Sequence, residues 1–209
     1  MTNGNQQSVN RGALVAIEGL DGAGKSTQVD RLGEQLAARG YKVVITREPT
    51  DGIHGQRIRE LAARGERATP EEELRLFQED REEHLVQVIA PALALGSIVI
   101  TDRYTLSSVA YQGARGLDPQ AILRESEARF PLPDVAVILE LDPALGLERV
   151  RGRGEPLEEA FERLDLLRAV AEVFHSIDRP YVVRVDATQG EDAVQESILA
   201  AVLPTLPPA

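Results

Sequence analysis

Ten residues, EGLDGAGKST from Glu18 to Thr27, leave few folds open. They meet the spacing G-x-x-x-x-G-K-[ST] at Gly19, Gly24, Lys25 and Ser26. Glycines at such positions let the backbone turn tightly enough for its N–H groups to converge on phosphate oxygens at a helix N-terminus. A lysine there supplies a point charge for β- and γ-phosphates, and a serine hydroxyl can ligate Mg²⁺. Leu20, Asp21, Gly22, Ala23 and Thr27 complete the candidate cradle. The flanks agree: ALVAIE (Ala13 to Glu18) reads as a buried strand, and Ser26 to Arg39 repeats apolar residues at Val29, Leu32 and Leu36, a helical spacing. Strand, glycine loop and helix in that order is the setting this motif requires.

The rest of the chain continues the alternation. Apolar runs at Ala13–Glu18, Lys42–Thr46, Ser97–Thr101, Val135–Leu141 and Tyr181–Val185 predict five strands, with amphipathic helical stretches between them. That pattern predicts an α/β fold: a five-stranded parallel sheet with helices on both faces, in three α/β/α layers. Several helix starts are signposted. TPEEE places Thr69 as N-cap, Pro70 at the first helical position and Glu72 as capping-box partner. Asp118–Pro119 and Asp142–Pro143 repeat the cap-then-proline device. The helix from Pro70 is expected to bend near Pro91. At 209 residues the chain suits a single P-loop domain over 11–209, with a loose polar tail at 1–10 and a mobile, arginine-rich lid at about 149–160.

Composition narrows the function. No cysteine occurs, which excludes disulfides and thiolate chemistry. No apolar run reaches membrane-span length, and the polar start lacks the apolar core of a secretory signal, so a cytoplasmic protein with no membrane partner is expected. A net charge of −11 argues against nucleic acid as a partner and makes local arginine clusters informative. No asparagine follows Asn10, so the N-K-x-D segment with which signalling GTPases read guanine is absent. In SIVITDRY the apolar strand ends at Asp102, a candidate Mg²⁺ carboxylate at the edge where α/β ligands bind. Arg103 and Tyr104 follow at once, and a cation beside a metal carboxylate suggests a second phosphate group, hence a kinase whose acceptor is itself a phosphate.

At this point the sequence resembles the thymidylate kinase family, closest to the bacterial form, from Leu14 to roughly Ala187. The resemblance rests on GLDGAGKST, TREP (Thr46 to Pro49), LFQEDREEHL (Leu76 to Leu85), DRY (Asp102 to Tyr104), SSVAYQGARG (Ser107 to Gly116), the arginine-rich lid and DAT (Asp186 to Thr188), all in order. It implies ATP-dependent phosphorylation of dTMP to dTDP, toward dTTP, with ATP as donor, Mg²⁺ as cofactor and a homodimeric state. Bacterial relatives follow the lid arginines with an Asp-Arg-x-x-Glu-like segment; PLEEAFER (Pro156 to Arg163) departs from it.

Phe77 and Arg81 share one helix face by their spacing of four, as do Ser108, Tyr111 and Gln112. The plainer alternatives are a core Phe77, an Arg81 paired with Glu or Asp neighbours such as Asp80, and a packing Tyr111. The resemblance implies that Phe77 stacks on thymine, Arg81 donates to its O4, and Ser108 and Gln112 contact the base. It implies further that Tyr111 excludes a ribose 2′-hydroxyl and Asp21 accepts from the sugar 3′-OH. Arg47 and Arg103, each just past a strand, are candidates for the acceptor phosphate because a guanidinium fork matches phosphate oxygens. Glu48 is expected to orient Arg47 or Arg103, or to form a structural salt bridge.

A phosphate monoester with a second pKa near ~6 is mostly dianionic at pH 7 and needs no general base. Catalysis should therefore come from converging cations. The loop carries no arginine of its own, so Arg149, Arg151 and Arg153 are the candidate catalytic cations, with Lys25 and Arg103. The rival readings are another nucleoside monophosphate kinase, a deoxynucleoside kinase needing a carboxylate base, and a nucleotide-binding relative with impaired catalysis.

Overall fold

Every apolar run read as a strand forms one, displaced by no more than about a residue at either end: β1 Leu14–Gly19, β2 Val43–Arg47, β3 Ile98–Asp102, β4 Val135–Glu140 and β5 Val182–Asp186. These come from a computed structural model that describes residues 11–64, 68–150 and 157–208. The tail expected at 1–10 and half of the expected lid, 151–156 with Arg151 and Arg153, lie outside the described residues.

The five strands form one parallel sheet in the order β2-β3-β1-β4-β5. The chain leaves β1 toward β2 but leaves β3 toward β4, so connections from these two adjacent strands part in opposite directions. A crevice opens where they part, beyond the carboxyl ends of β1 and β3. Register holds the ends of the neighbouring strands level there, with Ile17 opposite Asp102 and Arg47 opposite Asp102.

Alternation along β1 decides the two faces. Ala13, Val15 and Ile17 pack with Val29, Leu32 and Leu36 of α1 (Lys25–Ala37) and with Val194, Ile198 and Val202 of α9 (Glu191–Val202). Leu14 and Ala16 face the other way, toward α5 (Thr105–Ala114), α6 (Pro119–Arg129) and α8 (Leu157–Ser176). Side chains such as Ile17, buried completely, each stabilise the fold by about 1.5–3 kcal/mol. Helices on both faces give the three layers expected. The remaining helices are α2 (Ile53–Ala63), α3 (Pro70–His84), the short α4 (Ala90–Ala94) and α7 (Pro143–Val150).

The capping signals hold. Thr69 Oγ1 accepts from Glu72 N at 3.2 Å while Glu72 Oε2 accepts from Thr69 N at 3.0 Å, a closed capping box at the start of α3. Asp118 accepts from Gln120 N, and Asp142 from Ala144 N and Leu145 N. The expected bend at Pro91 takes another form. Leu85–Ile89 widen into a π-turn, with Ala90 N donating to Leu85 O, before α4 begins. Proline has no N–H and crowds the carbonyl four residues earlier; a looser i→i+5 turn lets the helix pass without that bond.

Candidate active site

The cradle forms as the glycine spacing requires. Gly22 (φ 81°) and Gly24 (φ 86°) take left-handed conformations, and Gly24 leads directly into the first turn of α1. A Cβ on Gly22 would lie 2.4 Å from the Gly146 carbonyl, so α7 also packs too closely for any side chain there. Lys25 is 7% exposed, and its Nζ donates to Leu20 O at 2.8 Å. Burial, then the Arg103 guanidinium, push it down to about 8 against the pull of Asp102, Asp21 and Glu18.

Ser26 and Asp102, expected to share a cation, meet across the crevice: Ser26 Oγ donates to Asp102 Oδ2 at 2.6 Å. Asp102 Oδ1 is buried without a partner. A hydroxyl beside a carboxylate that keeps one oxygen unpartnered forms a fitting oxygen donor set for a hard cation. Among the described residues no cluster of three or more acidic or histidine side chains could hold a metal alone, so water and phosphate oxygens would complete any shell.

Arg103 occupies the centre. Its φ of 72° is the one left-handed non-glycine conformation among the described residues. Such strain persists only where neighbours over-determine it. Here Arg103 N donates to Ile17 O, Thr101 Oγ1 donates to Arg103 O, and the Glu18 carboxylate accepts from Tyr104 N, Leu106 N and Ser107 Oγ. Glu18 is fully buried; burial raises its pKa, opposed by the Ser107 hydrogen bond and the Arg103 and Arg81 charges. So held, Arg103 donates to Gly19 O, to Ser107 Oγ and, at 2.5 Å, to Asp21 Oδ1, and its guanidinium lies 5.1 Å from the Tyr111 ring centre. Burial would lower the Arg103 pKa, but the Tyr111, Asp21, Glu18 and Asp102 side chains outweigh it and raise it. The same guanidinium, with Lys25, draws Asp21 down although burial pushes it up.

The base-reader candidates converge from two helices. Phe77 and Arg81 of α3 and Ser108, Tyr111 and Gln112 of α5 line one cavity of about 200 Å³. A second, of about 370 Å³, lies over the cradle with Lys25, Ser26, Arg47 and Asp102 on its walls. Both are bordered by Asp21, Glu48 and Arg103, so the two spaces meet at Arg103. Arg81 is 1% exposed and lies between the Tyr104 and Phe130 rings, 5.3 Å from each centre. Its Nη2 donates to Tyr104 O and Ser108 Oγ, whereas Nη1 is buried and unpartnered.

Of the alternatives left open for Glu48, the structural salt bridge is the one formed. Glu48 orients neither Arg47 nor Arg103; its Oε2 takes Arg81 Nε at 2.9 Å and Nη2 at 2.7 Å, and its Oε1 meets His84 Nδ1 at 3.0 Å. The Glu48 backbone N–H bonds to Asp102 O just past β2, which turns the side chain toward α3. Arg81 does not pair with Asp80, whose carboxylate accepts from Thr50 N and Thr50 Oγ1. Arg47 is exposed and pairs with Asp51 at 3.2 Å, so it reaches the cradle's wall without being locked there. Arg149, the described lid arginine, donates to Gly22 O at 3.1 Å and stands beside the loop.

Sequence reasoning passed over Glu18, Glu73 and His84. An acid closing an apolar strand was the available signal for Glu18, and a spacing of three from Arg81 the one for His84. Glu73, which accepts from Gln112 Nε2 at 2.9 Å, had no local signal. Of the five buried side-chain polar atoms left without a partner among the described residues, three belong to residues that line this cleft: Arg81 Nη1, Gln112 Oε1 and Asp102 Oδ1. Unsatisfied buried groups are costly, and their clustering in one crevice marks where a ligand completes the structure. No helix among the described residues is long and apolar enough to cross a membrane.

Comparison with known proteins agrees with this geometry. Residues 17–198 match the thymidylate kinase family. The thymidylate kinase of Desulfotalea psychrophila is 42% identical over 196 residues, 93% of this chain and 96% of that protein. That of Akkermansia muciniphila is 43% identical over 191 residues, 91% of each chain. A probable thymidylate kinase of Archaeoglobus fulgidus is 42% identical over 185 residues, 88% of this chain and 92% of that one. A match over nearly the full length of both partners, on a sheet whose crevice holds a phosphate cradle and a base-sized cavity, places the chain in the thymidylate kinase family.

Proposed function

We propose that the protein transfers the γ-phosphoryl group of ATP to dTMP, giving ADP and dTDP. The observation that carries the reading is a pair of buried, unpartnered atoms on two residues that line the base cavity, the donor Arg81 Nη1 and the acceptor Gln112 Oε1. Thymine presents an acceptor (O4) beside a donor (N3–H), which matches that pair. Cytosine presents the reverse, a donor at N4 and an acceptor at N3, and meets like against like twice. Phe77 supplies a ring for stacking, and Tyr111, with its hydroxyl toward Asp21 Oδ2 at 3.3 Å, closes the sugar side against a 2′-hydroxyl. Asp21 then has an oxygen to accept from the sugar 3′-OH.

The donor phosphates lie on the cradle N–H groups with Lys25, and the acceptor phosphate between Arg103 and Arg47. A dTMP phosphate oxygen forms the new bond to Pγ as the bond from Pγ to the β-bridging oxygen breaks, and ADP leaves. The acceptor is already anionic, so no side chain need remove a proton. Ser26 and Asp102 would hold Mg²⁺, which supplies charge neutralisation on the donor phosphates. Arg149 stands where a cation from α7 can join the transferring group, with Arg151 and Arg153 as its alternatives. A hydroxyl acceptor is disfavoured because the acceptor side presents guanidinium groups, Arg103 and Arg47, which suit an anion rather than a neutral hydroxyl.

A homodimer in the cytoplasm fits the reading. Ile53 and Val86, each 72% exposed on α2 and on the continuation of α3, offer apolar surface for a second copy, which sedimentation would test. ADP release is to be measured with dTMP, dUMP, dCMP, dGMP and thymidine, together with Arg81→Ala. Turnover on dTMP, weak use of dCMP and a KM for dTMP that rises far more than that for ATP in Arg81→Ala are expected. Preference for thymidine, or an equal rise in both KM values, would refute the assignment.

A further inference from the structure

Gln112 faces two ways. Its Nε2 donates to Glu73 Oε2 at 2.9 Å, while its Oε1 is buried and unpartnered, and the residue lines the base cavity. The two ends of a primary amide are nearly the same size, so shape alone does not decide which one enters the cavity. The choice decides the chemistry. With oxygen inward, Gln112 accepts from an imide N–H; with nitrogen inward, it donates to a ring nitrogen such as N3 of cytosine. Glu73 makes the choice, because a carboxylate only accepts and therefore faces the NH₂ end. Arg115 holds that carboxylate in place: its Nη1 pairs with Glu73 Oε2, and its Nη2 donates to Ala68 O at 2.8 Å.

We propose that Glu73, which lies behind Gln112 and outside the cavity, is a specificity-determining positioning residue: it fixes the amide orientation of Gln112 and thereby the preference for an imide base over cytosine. This rests on the assignment of the cavity to the base of a nucleoside monophosphate. α3 therefore contributes Phe77 and Arg81 on one stretch and, four residues before Phe77, the residue that orients a reader on α5.

Glu73→Gln tests it. The substitution keeps the size of the side chain but ends the one-way constraint, since an amide at position 73 can meet either end of Gln112. The ratio of kcat/KM for dTMP to that for dCMP should fall about tenfold, the scale of one mispaired base edge. The change should lie mainly in the KM values of the monophosphates, with the KM for ATP unmoved. In a Gln112→Met background the same substitution should leave the ratio where it was, because the reader is gone. An equal loss on both monophosphates with the ratio preserved, or the same shift in the Gln112→Met background, would overturn the proposal and leave Glu73 a structural residue. Arg115→Gln decides the matter if Glu73→Gln does not fold: it releases the carboxylate that Arg115 holds, so the ratio should fall in the same direction, and an unchanged ratio would overturn the proposal. Failure of the underlying base assignment looks different, since Gln112→Met alone would then leave the wild-type ratio intact.

Discussion

Raising the pH from 7 to 9 should weaken ATP binding through Lys25 alone. The ammonium is 7% exposed, sits at the N-terminus of α1 and lies near Arg103, and its pKa falls to about 8. A bound triphosphate brings several negative charges to Nζ and returns the group to its ordinary range or above. The free protein therefore loses the proton as pH rises through about 8, while the complex keeps it. Affinity is then full below that value and falls above it, by about tenfold at pH 9, or about 1.4 kcal/mol. Titration calorimetry with a non-hydrolysable ATP analogue, in buffers of different ionisation enthalpy, reads the proton directly. Uptake of about 0.9 proton is expected at pH 9 and about 0.1 at pH 7. Lys25→Arg, always charged, should lose the pH dependence. Lys25→Ala should abolish phosphoryl transfer with its melting temperature nearly intact. Equal affinity at both pH values with no proton uptake would refute the placement of Lys25 against the phosphates.

Single alanine variants of Arg149, Arg151 and Arg153 should include at least one whose kcat drops by more than about a hundredfold at saturating substrates, a loss of transition-state contact; losses confined to the KM for ATP would make the lid a nucleotide clamp instead. His84 should act on Arg81 through Glu48: His84→Asn, which keeps a donor near Nδ1, should retain the KM for dTMP, whereas His84→Gln should raise it about tenfold without moving the KM for ATP. Matching rises for both substrates would make His84 merely structural. Glu18→Gln turns an amide NH₂ toward donors from Tyr104, Leu106 or Ser107 and should cost about 1–3 kcal/mol in urea denaturation. Unchanged stability would mean that the turn holding Arg103 does not depend on Glu18.

What could be read from the sequence is what local interactions decide. The five strands, the cradle at Gly19–Thr27 and the caps at Thr69, Asp118 and Asp142 each depend on residues a turn or two apart, so spacing and residue type suffice. The shared faces of Phe77 with Arg81, and of Ser108 with Gln112, follow from helical geometry and survive folding unchanged. Pro91 shows the limit even within one helix: a bend and a π-turn both accommodate the missing N–H, and packing of Ile89 and Ala92 into the core accompanies the second. Partner choice across elements was beyond reach. Glu48 stands beside Arg47 in the chain, yet the bond from its backbone N–H to Asp102 O turns its carboxylate to Arg81 and His84, 33 and 36 residues away. Glu73 meets Gln112 across 39 residues because α3 packs against α5 over the carboxyl edge of the sheet. A charged side chain carries no record in the sequence of which opposite charge will reach it. Helix docking decides that, and with it which donors and acceptors are left open to meet a base.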